Sequence, residues 1–239
     1  MKKDLRMTTD DLGAVLAHTK NWIFDLDDTL YPPSEVIYAQ MARRIRDYIM
    51  KTVGVDEQTA SIIQKSYYKQ YGATVHGLVL EHHIQPADFT DYVHQLDLSS
   101  LKPDPKLRAV LQALPGRRFV FTNGAYEHAE RVLKRVGLDD LINGIFSIRE
   151  ANYIPKPALE TYQKMMKAFN IDPAESMMFD DNQQNVLGAK RAGIKGVWIS
   201  SNTSNNKYCL ADCDDFCDYQ TPDLVTFLSP YFGKAKQAS

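Results

Sequence analysis

Short runs of consecutive apolar residues alternate along this chain with stretches whose apolar positions recur three or four residues apart. That alternation predicts a parallel sheet with crossover helices. The first run is NWIFDLD, Asn21 to Asp27. RRFVFTNG starts a second at Arg117, GIFSIRE a third at Gly144, SMMFDD a fourth ending at Asp181, and GVWISS a fifth from Gly196. After the second run, AYEHAERVLKRVG sets Ala129, Val132, Leu133 and Val136 at helical spacing before Gly137 ends the pattern. NQQNVLGAKRAG reads as a helix between the fourth and fifth runs. An open sheet of this kind gathers ligands at the C-terminal ends of its strands, which directs attention to the residues there.

The alternation stops between Tyr31 and about Leu101. Ile37, Met41, Ile45, Tyr48 and Ile49 recur at helical spacing, a second helical run extends from about Asp56 to Tyr71, and a third surrounds ADFTDYVHQL. The expected fold is therefore α/β, a doubly wound parallel sheet (a Rossmann-like core) from residues 1–30 and 102–239, interrupted by an all-helical insert over 31–101. Pro103 and Pro105 mark the return to the core ahead of a helix from Lys106 to Leu114. TPDLVTFLSPYF reads as a terminal helix capped by Thr221 with Pro222 at its first position.

Composition changes this picture little. The 239 residues suit one such domain with an insert, and 44% hydrophobic with 24% charged residues is ordinary for a globular chain. A formal charge of −2 gives no nucleic-acid footprint, and neither a signal-like segment nor a membrane-length apolar stretch is evident, so a cytoplasmic location without a membrane partner is expected. Cys209, Cys213 and Cys217 are four apart and would share one face of a helix. Their odd number argues against a full disulfide set, and packing or incidental thiols are favoured over a metal site.

Candidate chemistry sits at the strand ends. Asp25 and Asp27 follow the first apolar run and alternate to the same side. Two acids so close repel unless a cation binds, a proton is shared, or the two groups take different roles. Thr122 and Asn123 end the second run with short polar groups suited to an oxyanion. Lys156 is held between the prolines of PKP, and Asp180 and Asp181 end the fourth run. Hard oxygen donors in such a set suit Mg²⁺, which takes one or two carboxylates with waters and a phosphate oxygen.

DLDDT (Asp25 to Thr29), Thr122 of FTNG, Lys156 of PKP and FDDN (Phe179 to Asn182) occur in the order of the four motifs of the haloacid dehalogenase-like hydrolases, and the resemblance extends from Asn21 to about Ser201. The helical insert is similar to the cap of the superfamily's largest class. The resemblance implies that Asp25 is the nucleophile forming an aspartyl-phosphate and Asp27 the general acid and then base. It implies Mg²⁺ on the Asp25 carboxylate, the Asp27 carbonyl and Asp181, with Asp180 direct or through water. Thr122 and the Asn123 amide would hold phosphoryl oxygens, and Lys156 would neutralise charge. Dehalogenases lack the second acid, so Asp27 favours a phosphatase or phosphomutase.

YGATVHGL (Tyr71 to Leu78), Leu101 to Leu138 and FDLDDTLYP further resemble the pyrimidine 5′-nucleotidase branch. That likeness implies a nucleoside monophosphate such as UMP or CMP as substrate and makes Tyr71, Thr74 and His76 the cap residues to examine. Sugar phosphates and phosphoglycolate are the alternatives among esters. A phosphate-binding regulatory protein without turnover is the non-enzymatic alternative.

Overall fold

The computed structural model describes residues 9–200 and 216–232, so Cys209 and Cys213 lie outside the described residues. Helix α1 (Thr9–His18) leads into β1 (Asn21–Phe24). Four helices follow: α2 (Glu35–Val53), α3 (Glu57–Tyr71), α4 (Thr74–His82) and α5 (Pro86–Val93). The chain then continues as α6 (Pro105–Ala113), β2 (Arg117–Phe121), α7 (Tyr126–Val136), β3 (Gly144–Phe146), α8 (Leu159–Phe169), β4 (Ser176–Asp180), α9 (Gln183–Arg191) and β5 (Lys195–Ile199). It closes on β6 (Tyr219–Thr221) and α10 (Leu224–Phe232).

The strands form one parallel sheet in the order β3-β2-β1-β4-β5-β6. Alternation along the strands divides the core between its faces. Trp22, Phe24, Val120, Met177 and Phe179 pack on one face with Leu107 and Leu111 of α6, Val132 of α7 and Leu228 of α10. Ile23, Phe119, Phe121 and Met178 pack on the other with Tyr162 and Met165 of α8. A fully buried side chain of this size contributes about 1.5–3 kcal/mol, and the central position of β1 and β4 concentrates that burial beneath the acids that follow them.

Helices α2 to α5 have a separate apolar cluster, with Tyr48 and Ile49 from α2, Ala60 from α3, Val75 and Leu78 from α4, and Phe89 and Val93 from α5. Caps set the ends of the first two: Ser34 Oγ accepts from Ile37 N, Asp56 Oδ1 accepts from Thr59 N, and Gly54 and Gly72 stop them with φ of 77°. No helix among the described residues is long and apolar enough to cross a membrane.

Several elements differ from the pattern reading. Helix α4 lies between the second and third helical runs read from the pattern and is an additional element, with Gly77 inside it. The glycine is there for packing, since a β-carbon would fall 2.5 Å from Tyr67 Cγ and 2.6 Å from Tyr71 Cδ2. Helix α1 and the short edge strand β6 were not expected either. β1 ends at Phe24, three residues early, because Leu30 N bonds Leu26 O and Asp28 turns the chain at φ 60°. β3 stops at Phe146 because Glu150 accepts from the amide and hydroxyl of Ser147 and folds the chain back. Thr221 ends β6 and does not cap α10; Asp223 accepts from Thr226 N and takes that role.

Candidate active site

The ends of β1, β2 and β4 adjoin because those strands are neighbours, and each delivers part of one polar cluster. Asp25, whose amide still bonds Phe179 O at 2.9 Å, continues from β1. Asp180 ends β4, and Thr122 and Asn123 follow β2. Lys156 reaches in from the PKP loop, whose Lys156–Pro157 peptide is cis.

Lys156 is 1% exposed, and its ammonium donates three hydrogen bonds of 2.7 Å each, to Asp25 Oδ1, Asp180 Oδ2 and the Phe121 carbonyl. Three N–H donors meet three acceptors, so a group that is costly to bury is fully satisfied. Desolvation lowers its pKa, but the Asp180 and Asp25 charges outweigh that and raise it, keeping it a cation. Asn123 fixes the same loop from below. Its Oδ1 accepts from Lys156 N at 2.8 Å and its Nδ2 donates to Lys156 O at 3.2 Å. Thr122 Oγ1 accepts from Gly124 N at 2.9 Å, which leaves its hydrogen to donate.

Asp25, Asp180 and Asp181 present carboxylate oxygens within 4.8 Å of one another. Burial pushes Asp25 up to about 8 and Asp181 up to about 9, with the neighbouring acids adding to the effect. Three acids gathered about one lysine hold each other's protons on, and hard oxygen donors so placed are what a divalent cation such as Mg²⁺ complements by taking the protons' place. The three acids are not equivalent. Asp180 is fully buried and already accepts from Lys156, from Asn182 N at 2.9 Å and from Asn185 Nδ2 at 3.0 Å. Its geometry is that of an anchor for the lysine. Asp181 is half-buried and offers a carboxylate oxygen to the same group as Asp25 and Asp180.

Asp27 has partners of its own. Its Oδ1 accepts from Tyr31 Oη at 2.5 Å and from His128 Nε2 at 3.0 Å. Burial alone would raise its pKa, but His128 and the Tyr31 hydroxyl outweigh burial and bring it down to about 2. The His128 ring lies beside that of His94, centroids 4.9 Å apart and tilted by 34°, and desolvation with the neighbouring imidazole pushes His94 down to about 4.

The residues expected from the insert lie together on α3 and α4. Tyr71 bonds Glu81 through its hydroxyl, which raises its pKa, and its ring is 6.1 Å from that of His76. A β-carbon on Gly72 would lie 3.7 Å from Pro155 Cγ, so the turn after Tyr71 rests on the loop that carries Lys156. Thr74 is buried and turned into the helical cluster, with Oγ1 donating to Gln64 O at 3.3 Å.

His128, His94, Tyr31 and Asn185 were not singled out in the sequence. One signal for His128 was available. It lies on the buried stripe of α7 with Ala129, Val132, Leu133 and Val136, where a polar residue is out of place unless it has a partner.

An α/β core with a helical insert after β1, and acids at the ends of β1 and β4 joined by a buried lysine, define a class, and comparison with known proteins agrees. Residues 19–193 match the family of haloacid dehalogenase-like hydrolases. The chain belongs to that family. It is 30% identical over 196 residues to phosphate metabolism protein 8 of Saccharomyces cerevisiae, covering 74% of this chain and 60% of that longer protein. It is 28% identical over 234 residues to the glyceraldehyde 3-phosphate phosphatase of Pyrococcus furiosus, covering 90% and 95% of the two chains. A haloacid dehalogenase-like phosphatase from Thermococcus onnurineus shares the fold with a TM-score of 0.61 at 18% identity, over 90% of this chain and 98% of that one.

Proposed function

We propose that this hydrolase is a cytoplasmic, Mg²⁺-dependent phosphomonoesterase of a small phosphorylated metabolite, working through a phosphoryl group on Asp25. The observation that carries the reading is the arrangement around Asp25. A carboxylate at the end of the central strand has one oxygen held 2.7 Å from Lys156 and lies within 4.8 Å of two further acids. Lys156 fixes the nucleophile's orientation and balances charge as the phosphoryl group arrives. Asp25 and Asp181, with the carbonyl of Asp27, would hold the cation, which when bound neutralises the phosphoryl oxygens. Asp180 serves chiefly to hold Lys156.

In the first step an Asp25 oxygen bonds to phosphorus, the bond from phosphorus to the ester oxygen breaks, and Asp27 gives its proton to that oxygen. In the second step Asp27 takes a proton from water, the water oxygen bonds to phosphorus, and the bond to Asp25 breaks, releasing phosphate. With a value of about 2 in the empty site, Asp27 is ionised at neutral pH. The proton therefore arrives with a monoanionic ester, or is drawn from solvent when a phosphoryl dianion enters beside it. Thr122 Oγ and the Asn123 amide are the oxyanion donors on the β2 side.

The insert reads the rest of the substrate. The likeness of YGATVHGL and its neighbours to pyrimidine nucleotidases supports a pyrimidine nucleoside monophosphate, with Tyr71 and His76 beside the leaving alcohol. The near full-length likeness to a glyceraldehyde 3-phosphate phosphatase supports a second reading, a sugar or triose phosphate. Phosphate release with Mg²⁺ from UMP, CMP, purine monophosphates, triose and hexose phosphates and phosphoglycolate separates them. Highest kcat/KM on UMP or CMP is expected on the first reading. A tenfold preference for a sugar phosphate would defeat it, and binding without release across the whole panel would defeat the enzyme.

A further inference from the structure

One donor to Asp27 lies on the segment that leaves the core for the insert, and the other on a core helix that holds the segment returning from it. Tyr31 lies on the outgoing segment between β1 and α2 and is 5% exposed. His128 lies on α7, which holds the returning segment. Arg131 donates to the carbonyls of His94 at 3.1 Å and Leu96 at 2.5 Å, and Arg135 donates to those of Leu98 at 3.1 Å and Ser99 at 2.5 Å. His94, at the head of that segment, packs its ring against that of His128 at a tilt of 34° and is itself set by its Nδ1, 2.8 Å from Thr90 O.

Both donors meet the same atom, Oδ1 of Asp27. We propose that Tyr31 and His128 are positioning residues that hold Asp27 by Oδ1 so that Oδ2 is the oxygen that exchanges the proton with the leaving group and then with water. The proposal deepens the phosphatase reading and rests on it. A carboxylate whose side chain is one-third exposed would otherwise rotate about its last torsion and share the proton between two oxygens. Two donors on one oxygen fix that torsion and stabilise the charge left after Oδ2 gives up its proton.

His128 meets Asp27 through Nε2 at 3.0 Å, and its Nδ1 is buried without a hydrogen-bond partner among the described residues, so the bond to Oδ1 of Asp27 is the contact that an orienting role needs.

The test is kcat/KM with Mg²⁺ for substituted phenyl phosphates from 4-nitrophenyl to 4-methoxyphenyl, in the wild type, Tyr31→Phe, His128→Phe and His128→Gln. This ratio reports the steps through loss of the phenol, where the proton is delivered. Nitrophenolate leaves readily without a proton, whereas the more basic phenols need one. In Tyr31→Phe and His128→Phe the loss should grow with phenol basicity, reaching about tenfold or more at 4-methoxyphenyl and remaining severalfold smaller at 4-nitrophenyl. His128→Gln, whose amide can donate from a similar place, should recover the wild-type dependence. Tyr31→Phe removes a single hydroxyl and retains the packing, so it decides the matter if His128→Phe does not fold. An equal loss on all phenols, or none, in Tyr31→Phe would overturn the positioning role. A wild type that releases phosphate from none of these esters or from the metabolite panel would instead overturn the phosphatase reading, and the positioning role with it.

Discussion

Replacing Lys156 by methionine tests how far the site depends on one buried cation. The substitution keeps an unbranched apolar stem against the Phe121 ring, over which the ammonium lies 5.0 Å from the centroid. It removes all three 2.7 Å hydrogen bonds and leaves Asp25 and Asp180 buried without their counter-charge. Removing one partner of a buried ion pair costs about 3–5 kcal/mol, because the other partner remains desolvated. For a chain of this size each kcal/mol moves the melting temperature by about 2–4 °C, so the metal-free variant should melt roughly 6–20 °C below the wild type. Thermal and urea unfolding at neutral pH in EDTA measure this directly. The variant also lacks the cation that competes with Mg²⁺ for Asp25, so saturating Mg²⁺ should raise its melting temperature more than that of the wild type. Unfolding within about 1 kcal/mol of the wild type, or an equal Mg²⁺ shift in both proteins, would refute the view that Lys156 and the cation share one acid cluster.

Two further predictions concern stability. Burial holds Asp25 near 8 and Asp181 near 9, against an ordinary 3.8, so the folded metal-free protein binds protons that the unfolded chain releases. Their contribution is fully present below about pH 4 and is lost as the pH rises towards 8–9. Asp27, held down to about 2, acts oppositely and loses its contribution only as the pH falls below 3.8. Melting temperatures in EDTA should therefore decline from mildly acid to alkaline pH, and Mg²⁺ should flatten that decline; a metal-free profile that rises across this range would contradict the assignment. In the insert, Gly77→Ala drives a β-carbon to 2.5 Å from Tyr67 and should destabilise the protein by about 1–3 kcal/mol, read by urea unfolding. A neutral or stabilising effect would mean that Tyr67 and Tyr71 are not packed on α4.

The fold and half of the site were legible because they rest on local signals. Buried parallel strands read as apolar runs, and the acids of β1 and β4 stand out because they follow such runs directly. Lys156 was conspicuous between two prolines. What escaped depended on partners distant in sequence. His128 looks like one polar residue of an amphipathic helix until β1 brings Asp27, 101 positions away, to 3.0 Å. Asp180 and Asp181 are adjacent and alike in sequence, and the structure separates them by burial and by the Lys156 bond that Asp180 accepts. Helix α4 carries Gly77, where a β-carbon would meet the rings of Tyr67 and Tyr71, contacts that no local pattern announces. Thr74 was taken with Tyr71 and His76 from the likeness of YGATVHGL, and its hydroxyl bonds Gln64 O within the insert.

The account stands on Asp25 as the atom donor to phosphorus. The most direct measurement is rapid acid quench of the enzyme with Mg²⁺ and 4-nitrophenyl phosphate, followed by peptide mass analysis in parallel with phosphate release, for the wild type and Asp25→Asn. The predicted result is one phosphoryl group on the peptide containing Asp25 in the wild type, with neither adduct nor phosphate release in the variant. Undiminished phosphate release by Asp25→Asn would contradict it.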